Sequence, residues 1–168
     1  YNITYVGANF SVTARTLTVT VDSAQTKVYG ASNPGSYTYT YGTLYNSDTS
    51  SVFTGSLSRA AGENVGTYAI GQNTLSAGSN YSISYTGSNF SITARSLTVT
   101  ADSSQTKVYG DSDPAFTYSH GTLYNSDTNS IFTGSLSRAT GEDYGSYAIN
   151  QNTLSAGSNY SISYTGSN

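Results

Sequence analysis

An internal repeat with a period of about 80 residues is the feature that most constrains what this chain can fold into. Residues 9–15 recur as residues 89–95 with a single change, and residues 72–88 recur unchanged as residues 151–167. Solenoid repeats, whose units do not fold alone, have periods of only about 20–45 residues, whereas a period of about 80 residues is enough for a small domain with its own core. The sequence therefore predicts small domains arranged in tandem.

A tandem repeat reads alike from any starting residue, and we take its domains to begin at Leu17 and Leu97. Residues 1–8 resemble the end of a repeat, so residues 1–16 are predicted to be terminal strands of a preceding repeat. Residues 17–96 are then repeat domain one, and residues 97–168 are repeat domain two, lacking its last strand. Because exposed sheet edges recruit partner strands, we expect residues 1–15 of a neighbouring molecule to complement the edge that this strand would cover.

Alternating apolar and polar residues predict the strands. Leu17, Val19 and Val21 alternate with threonines, and the same pattern appears from Leu97 onwards. Similar alternations predict strands at residues 1–5, 10–14, 37–41, 53–59, 67–70, 81–85 and 90–94. The link around Gly87 contains a glycine between two of these stretches, which predicts a hairpin. A single helical turn is predicted at residues 47–53, with Asp48 as its N-cap.

These patterns together predict an all-β fold with little or no helix. The chain is predicted to form two tandem small β domains, and a sandwich, a small barrel and a grasp-like sheet all fit the spacing of the strands. Arg15 and Arg95 join one strand pattern directly to the next without a Gly or Pro linker. Such a junction is predicted to be stiff, and the chain to be an elongated rod.

Composition excludes several classes of function. Only six residues are basic and nine are acidic. The basic residues are scattered singly, whereas binding to nucleic acid requires clustered Lys and Arg. The sequence has no run of about 18 apolar residues, so no membrane insertion is expected in this segment. The chain contains no cysteine, so disulfides do not stabilise the fold.

The order of motifs resembles that of a known family. In the second repeat, LTVTAD at 97–102 is followed by KVYGDSDP at 107–114, GSLSRA at 134–139 and LSAGSNY at 154–160. This order is similar to that of the MBG (mostly β, glycine-rich) tandem repeats of bacterial surface adhesins and exoproteins, and the resemblance covers essentially the whole chain. It implies structural stalk or spacer repeats at the bacterial cell surface or in a secreted protein. It also implies neighbouring repeats as partners, and neither catalytic residues nor a cofactor.

Alternation within one strand makes three tyrosines the candidate binding residues. Tyr37, Tyr39 and Tyr41 share one face of their predicted strand, and amphipathic rings suit glycan and protein surfaces. An alternative function is therefore an adhesive module that binds a host or matrix glycan or protein through exposed tyrosines. The competing interpretation of the same residues is aromatic pairing across neighbouring strands.

Asp111 and Asp113 are the candidate metal ligands, because carboxylates two residues apart on a tight loop suit calcium. Ala31 and Asn33 replace them in the first repeat. A turn before Pro114 therefore explains the same residues without a metal, and no metal site is predicted.

Lys27 and Lys107 are the only two lysines of the chain. Each is a candidate for a covalent cross-link to an Asn side chain, promoted by a nearby acid such as Glu63. The competing interpretation is a surface lysine whose methylene stem lies on apolar neighbours.

The sequence predicts no enzyme. A hydrolytic triad needs a base beside its nucleophile, but His120 is the only histidine and Tyr41 replaces it in the first repeat. Recurring acids such as Asp22, Asp48 and Glu63 lie beside Ser, Thr and Gly, where carboxylates usually bond the local backbone.

Overall fold

The alternation of Leu17, Val19 and Val21 with threonines produces the first strand of the computed structural model, which describes residues 1–168. In this strand the three apolar side chains are buried and the threonines between them are exposed. The strand from Arg95 repeats this pattern with Leu97, Val99 and Ala101 buried. The predicted strands at Leu17 and Leu97 are therefore confirmed, each with one buried face.

The elements are β-strands apart from two single helical turns. In chain order the strands are β1 (Arg15–Val21), β2 (Gln25–Val28), β3 (Tyr39–Tyr41), β4 (Ser58–Arg59), β5 (Gly66–Gly71), β6 (Tyr81–Thr86), β7 (Ser88–Thr93), β8 (Arg95–Ala101), β9 (Tyr118–His120), β10 (Ser137–Arg138), β11 (Ile149–Asn150) and β12 (Tyr160–Thr165). Short 3-10 turns occur at Ser50–Val52 and Asn129–Ile131. The prediction of an all-β fold with little helix is confirmed.

Each repeat contains the same three-stranded sheet. In the first repeat the strand order is β3-β1-β6, and in the second it is β9-β8-β12. β1 runs parallel to β6, from the pair Arg15 and Tyr81 to the pair Thr20 and Thr86. β8 and β12 form the same parallel pair. The near-identical sequences therefore produce the same pairing twice.

A further sheet has the strand order β2-β7-β5-β4, and β10 pairs with β11. The hairpin predicted around Gly87 is wrong, because β6 and β7 belong to different sheets. Only Gly87 separates the two strands, whereas the shortest common hairpin turns use two linking residues. A side chain at Gly87 would lie 3.1 Å from the carbonyl oxygen of Ile70, so the crossing is tight.

The strands predicted at residues 1–5 and 10–14 are not formed. Residues 1–14 have no strand, and the side chains of Phe10 and Val12 are 93% and 86% exposed. An isolated hairpin is marginal in water at best, because it has no further strand or layer to bury its apolar face. In the second copy of this sequence, Phe90 and Ile92 are 0% and 2% exposed within β7.

The predicted helical turn is present, but Asp48 is not its cap. Thr49 is the N-cap residue of the turn at Ser50–Val52, and its hydroxyl accepts a hydrogen bond from the Ser51 backbone N–H. The Asp48 carboxylate instead accepts a hydrogen bond of 2.8 Å from the Tyr81 hydroxyl. The carboxylate therefore joins this turn to β6.

The residues form two compact units. The first consists of Tyr1–Gln25, Pro34–Ala61 and Tyr68–Phe90, and the second of Thr26–Asn33, Gly62–Thr67 and Ser91–Asn168. The boundaries of these two units do not coincide with those of the sequence repeats. The domain boundaries predicted after residues 16 and 96 therefore stay predictions.

Each unit has its own apolar core. In the first unit, Leu17, Ala77 and Tyr81 form a buried cluster against which Leu44 and Phe53 pack. In the second unit, the fully or almost fully buried side chains include Leu97, Val99, Ile149, Leu154 and Tyr160. None of the helical segments has the length and apolar character needed to cross a membrane.

Phe90 and Phe10 have the same sequence neighbours but opposite burial, so they form a matched pair for a stability measurement. We expect Phe90→Ala to lower the free energy of unfolding by about 3–5 kcal/mol, because it leaves a cavity in a packed core. Phe10→Ala removes an exposed ring and should change it by less than about 0.5 kcal/mol. Urea unfolding of dilute protein measures both, and equal effects would contradict the different roles of these two residues.

Candidate functional site

A cluster of tyrosines around one carboxylate is the most organised polar site in the second unit. The Tyr29 ring is only 3% exposed and lies edge-on to the Tyr160 ring, with 5.3 Å between the ring centroids. The Tyr29 hydroxyl donates to Asp127 Oδ2 at 2.9 Å, and the Tyr160 hydroxyl donates to the same oxygen at 2.8 Å. One carboxylate oxygen therefore fixes both rings.

Burial raises the pKa of Tyr29 and the pKa of Tyr160, and Asp127 contributes to both shifts. Both phenols therefore stay protonated, and remain donors to Asp127, up to a higher pH than an unperturbed tyrosine. Because their folded-state pKa values are raised, this contribution to stability is complete below about pH 10. It is lost as the pH rises through the folded-state values.

Gly30 lets the backbone approach the side chain of Tyr124 closely. Its φ is +75°, and a Cβ on this residue would lie 2.5 Å from the Cβ of Tyr124. The Tyr29 carbonyl accepts a hydrogen bond of 2.6 Å from Arg95 Nε. The Arg95 guanidinium lies 3.8 Å from the centroid of the Tyr124 ring, in the geometry of a cation–π contact.

Asn159 binds a second segment of the chain at this cluster. The Val65 backbone N–H donates to Asn159 Oδ1 at 2.9 Å, and Asn159 Nδ2 donates to Asn64 Oδ1 at 3.0 Å. Together with the contacts of Tyr29 and Gly30, these bonds hold residues 26–33 and 62–67 inside the second unit. We call the set Arg95, Tyr124, Asp127, Asn159 and Tyr160 the docking face of the second repeat.

The first repeat carries the same docking face at Arg15, Tyr45, Asp48, Asn80 and Tyr81. The Arg15 guanidinium lies 3.7 Å from the centroid of the Tyr45 ring. The Tyr81 hydroxyl donates to Asp48 and accepts a hydrogen bond from the Tyr45 backbone N–H, each at 2.8 Å. Tyr45, the counterpart of Tyr124, is 43% exposed.

The three tyrosines predicted to bind a ligand pack against other aromatic rings. Tyr37 lies edge-on to Phe90 with a centroid distance of 5.6 Å. Tyr39 and Tyr41 lie 5.6 and 4.8 Å from the Phe53 ring. Tyr37 and Tyr39 are half-buried, and Tyr41 is 42% exposed. Part of each ring is therefore already covered by the protein.

The first of the two lysines predicted to cross-link is almost completely buried. The Lys27 side chain is 5% exposed, and its ammonium forms an ion pair with Glu63. Glu63 is the acid named in the cross-link prediction, so the structure brings these two residues together. The bond from Lys27 to an Asn stays a prediction.

The second lysine lies in a cluster of four charged side chains. Lys107 Nζ is 2.9 Å from Asp113 Oδ1 and 2.6 Å from Glu142 Oε2. Arg138 Nε donates to both Asp113 oxygens, at 3.0 and 2.9 Å, and Arg138 also bonds Glu142. The Asp111 backbone carbonyl accepts a further hydrogen bond of 3.1 Å from Lys107. Asp113, one of the two candidate metal ligands, therefore binds two cationic side chains.

Hydrogen bonds from Lys107 and from Arg138 lower the pKa of Asp113 and the pKa of Glu142. Both carboxylates therefore remain ionised at acidic pH values at which an isolated carboxylate would be protonated. No group of three or more His, Cys, Asp or Glu side chains in the chain is arranged to hold a metal ion.

His120 lies in β9 with both ring nitrogens engaged. Nδ1 is 2.7 Å from the Gly121 carbonyl oxygen, and Nε2 is 2.9 Å from Asn129 Oδ1. The His120 ring also packs on Phe132, with 5.0 Å between centroids. No serine, threonine or carboxylate is among these partners.

Sequence reasoning missed the docking face. Tyr29, Gly30, Asp127 and Tyr160 all recur between the repeats, but recurrence alone does not show which of them meet. Asp48, the counterpart of Asp127 in the first repeat, was predicted as a helix cap because an acid before a short turn is typical of one. The available signal was that the Tyr29-Gly30 pair and Asp127 each recur in the other repeat, outside the alternating strand patterns.

Comparisons with known proteins give one finding. The family model described as MBG domain (YGX type) matches residues 17–91 and, separately, residues 97–168. Comparison with curated proteins gives no match, and comparison with solved structures gives none.

Gly30 and Gly110 test the packing of the Tyr-Gly pair. Both have positive φ, but a Cβ at Gly110 would have no heavy atom within 4 Å. We expect Gly30→Ala to cost about 1–3 kcal/mol more than Gly110→Ala, because both incur the backbone strain and only the first is overpacked. Calorimetric unfolding measures the difference, and equal costs would mean that the contact with Tyr124 contributes nothing.

Lys107 and Lys27 test the charge cluster. We expect Lys107→Met to raise the pKa values of Asp113 and Glu142 towards ordinary carboxyl values, whereas Lys27→Met leaves both unchanged. Because the folded-state pKa values are lowered, the cluster contributes stability above about pH 4 and loses it as the pH falls through those values. Carboxyl NMR titration checks both variants, and unchanged titration of Glu142 in Lys107→Met would contradict the assignment.

Proposed function

We propose that this chain consists of stalk or spacer repeats of a bacterial cell-surface adhesin. The proposal starts from its family, because the chain belongs to the MBG domain family of the YGX type. In this role the repeats project a binding region away from the cell. The family is associated with surface proteins, which supports an extracellular location for the chain. Its function on this proposal is mechanical, and it performs no catalysis.

The observation that carries the proposal is the parallel pairing of the strands near the two ends of each repeat. β1 enters at Arg15 beside Tyr81, and β6 leaves at Thr86 beside Thr20. Parallel strands place the start of one beside the start of the other. The start of β1 and the end of β6 therefore lie at opposite ends of this sheet, which suits a repeat that is loaded along the strands.

The same pairing suits a domain that carries tension. When a chain is pulled from the start of β1 and the end of β6, the two strands slide past each other. All the hydrogen bonds between them are then loaded at once, because they lie across the direction of pulling. Strands pulled apart from one shared end would break the same bonds one by one.

The short link between the two repeats also supports a spacer function. Only Ala94 separates β7 from β8, so no flexible linker stands between the end of one repeat and the start of the next. Tyr29 and Gly30 add side-chain and backbone contacts to the docking face.

The alternative, an adhesive module that binds glycan or protein through exposed tyrosines, has less support. Stacking on a sugar requires a free ring face, but Tyr39 and Tyr41 pack against Phe53. The tyrosines contribute to internal aromatic packing, and the spacer proposal uses them in that role.

Force spectroscopy with two pulling geometries tests the mechanical proposal. The chain has no cysteine, so introduced cysteines are unique attachment points. Thr16→Cys with Thr86→Cys loads β1 and β6 in shear, whereas Thr16→Cys with Ser82→Cys pulls on directly paired residues. We expect the shear geometry to require a rupture force several times higher. Equal rupture forces would contradict a load-bearing role.

A further inference from the structure

Lys27 is the only charged side chain among the buried residues of the chain. Its side chain is 5% exposed, and its ammonium forms an ion pair with Glu63. Burying an ammonium is costly, and a carboxylate partner offsets only part of that cost. A reaction that converts this ammonium into a neutral amide therefore removes a buried charge.

The backbone around Lys27 is fixed by Thr93. The Thr93 hydroxyl donates to the Lys27 carbonyl at 3.3 Å, and the Tyr29 backbone N–H donates to the Thr93 carbonyl at 2.9 Å. The ammonium of Lys27 is therefore held beside Glu63, and its chemistry depends on which further side chain lies within its reach.

The second repeat shows which side chain that is. Lys107, the counterpart of Lys27, has the same kind of ion pair, with 2.6 Å between its Nζ and Glu142 Oε2. Lys107 Nζ also lies 2.9 Å from Asp113 Oδ1. The segments QTKVYGASNP and QTKVYGDSDP align without a gap, so Asn33 is the counterpart of Asp113.

The turn between the lysine and this position has the same geometry in both repeats. In the first repeat the Ala31 backbone N–H donates to the Val28 carbonyl at 3.0 Å, and the equivalent bond from Asp111 has the same length. Each turn contains one glycine with a positive φ, of 75° and 91° respectively. The turn therefore brings residue 33 towards Lys27 as it brings residue 113 towards Lys107.

The two repeats differ in the chemistry of the side chain at this position. Hydrogen bonds from Lys107 and Arg138 lower the pKa of Asp113, so Asp113 is an ionised carboxylate, which an amine does not attack. Asn33 carries a neutral carboxamide, whose nitrogen can leave as ammonia. The first repeat therefore combines a buried lysine, a carboxylate in contact with it and a carboxamide.

We propose that an amide bond joins Lys27 Nζ to Asn33 Cγ, and that Glu63 is the base in its formation. Glu63 takes one proton from the ammonium, and the freed Nζ bonds to Cγ of Asn33. The bond from Cγ to Nδ2 then breaks, and Nδ2 leaves as ammonia with a second proton from Nζ. Glu63 returns its proton to the solvent, so the products are the amide and one ammonium ion.

The exposure of the two partners of Lys27 suits this reaction. The Glu63 side chain is 51% exposed, and Asn33 is exposed as well, so ammonia and the proton can reach the solvent. When the ammonium has become an amide, the Glu63 carboxylate stays hydrated and needs no buried partner.

The bond closes residues 27–33 into a covalent loop. Tyr29 and Gly30 lie inside this loop and contact the docking face of the second repeat, at Asp127 and Tyr124 respectively. A covalent loop restricts the conformations of these residues even when the surrounding structure opens. The bond does not depend on the mechanical role proposed above.

Asn64 is the alternative acceptor, because it follows Glu63 directly in the sequence. Its side-chain oxygen accepts a hydrogen bond of 3.0 Å from Asn159 Nδ2, on the docking face. Asn64 therefore has a structural role of its own and is the matched control for Asn33.

The mass of the whole chain, followed by digestion of the denatured protein with trypsin, tests the bond. We expect the chain to be lighter than its sequence predicts by one ammonia molecule. Trypsin should not cut after Lys27, so residues 16–59 should form one peptide that carries the loss, whereas cleavage after Lys107 proceeds. A chain of full mass, or cleavage after Lys27, would overturn the proposal.

Loss of ammonia by another route gives a different result. An asparagine can cyclise onto the backbone nitrogen that follows it, but Pro34 follows Asn33 and its nitrogen carries no hydrogen. Cyclisation elsewhere in the chain leaves Lys27 open to trypsin, so the digest separates the two reactions.

Single substitutions assign each participant. Lys27→Met, Glu63→Gln and Asn33→Asp should each abolish the loss of ammonia, and the last two should also restore cleavage after Lys27. The control Asn64→Asp should keep both the loss and the protected peptide. Aspartate stands at both of these asparagine positions in the second repeat, so neither change disturbs folding. Loss of ammonia that persists in Asn33→Asp, or that disappears in Asn64→Asp, would contradict the bond to Asn33.

Discussion

The parallel hydrogen bonding of β1 with β6, repeated in β8 with β12, is the constraint on which the rest of each repeat depends. In β1 it buries Leu17, Val19 and Val21, which alternate with exposed threonines. It also places Tyr81 at the start of β6, where its hydroxyl reaches Asp48. The docking face is therefore a direct consequence of this pairing, because Arg15 and Tyr81 are the first paired residues of the two strands.

The two copies show that partners, and not local propensity, decide which residues form strands. Residues 25–28 and 105–108 have the identical sequence QTKV, yet the first set is β2 and the second has no strand. Residues 10–14 and 90–94 differ in the same way. β-propensity reflects packing against neighbours, and these pairs hold the sequence almost constant while the neighbours change.

This explains how much of the fold the sequence could predict. The all-β class and the buried faces of β1 and β8 follow from local alternation, which a single sequence displays directly. The hairpin around Gly87 was predicted wrongly because alternation says nothing about which strand pairs with which. The docking face was missed for a related reason, since Tyr29 and Asp127 are far apart in sequence and meet only through the fold.

The short link between β6 and β8 has a consequence for misfolding. Two nearly identical first strands, β1 and β8, compete for β6, and an error would exchange partners between neighbouring copies. A parallel pair needs a crossover of about a dozen residues or more, but only residues 87–94 lie between β6 and β8. The covalent chain itself therefore prevents the nearest wrong pairing, and tandem copies can remain almost identical in sequence without exchanging strands along one molecule.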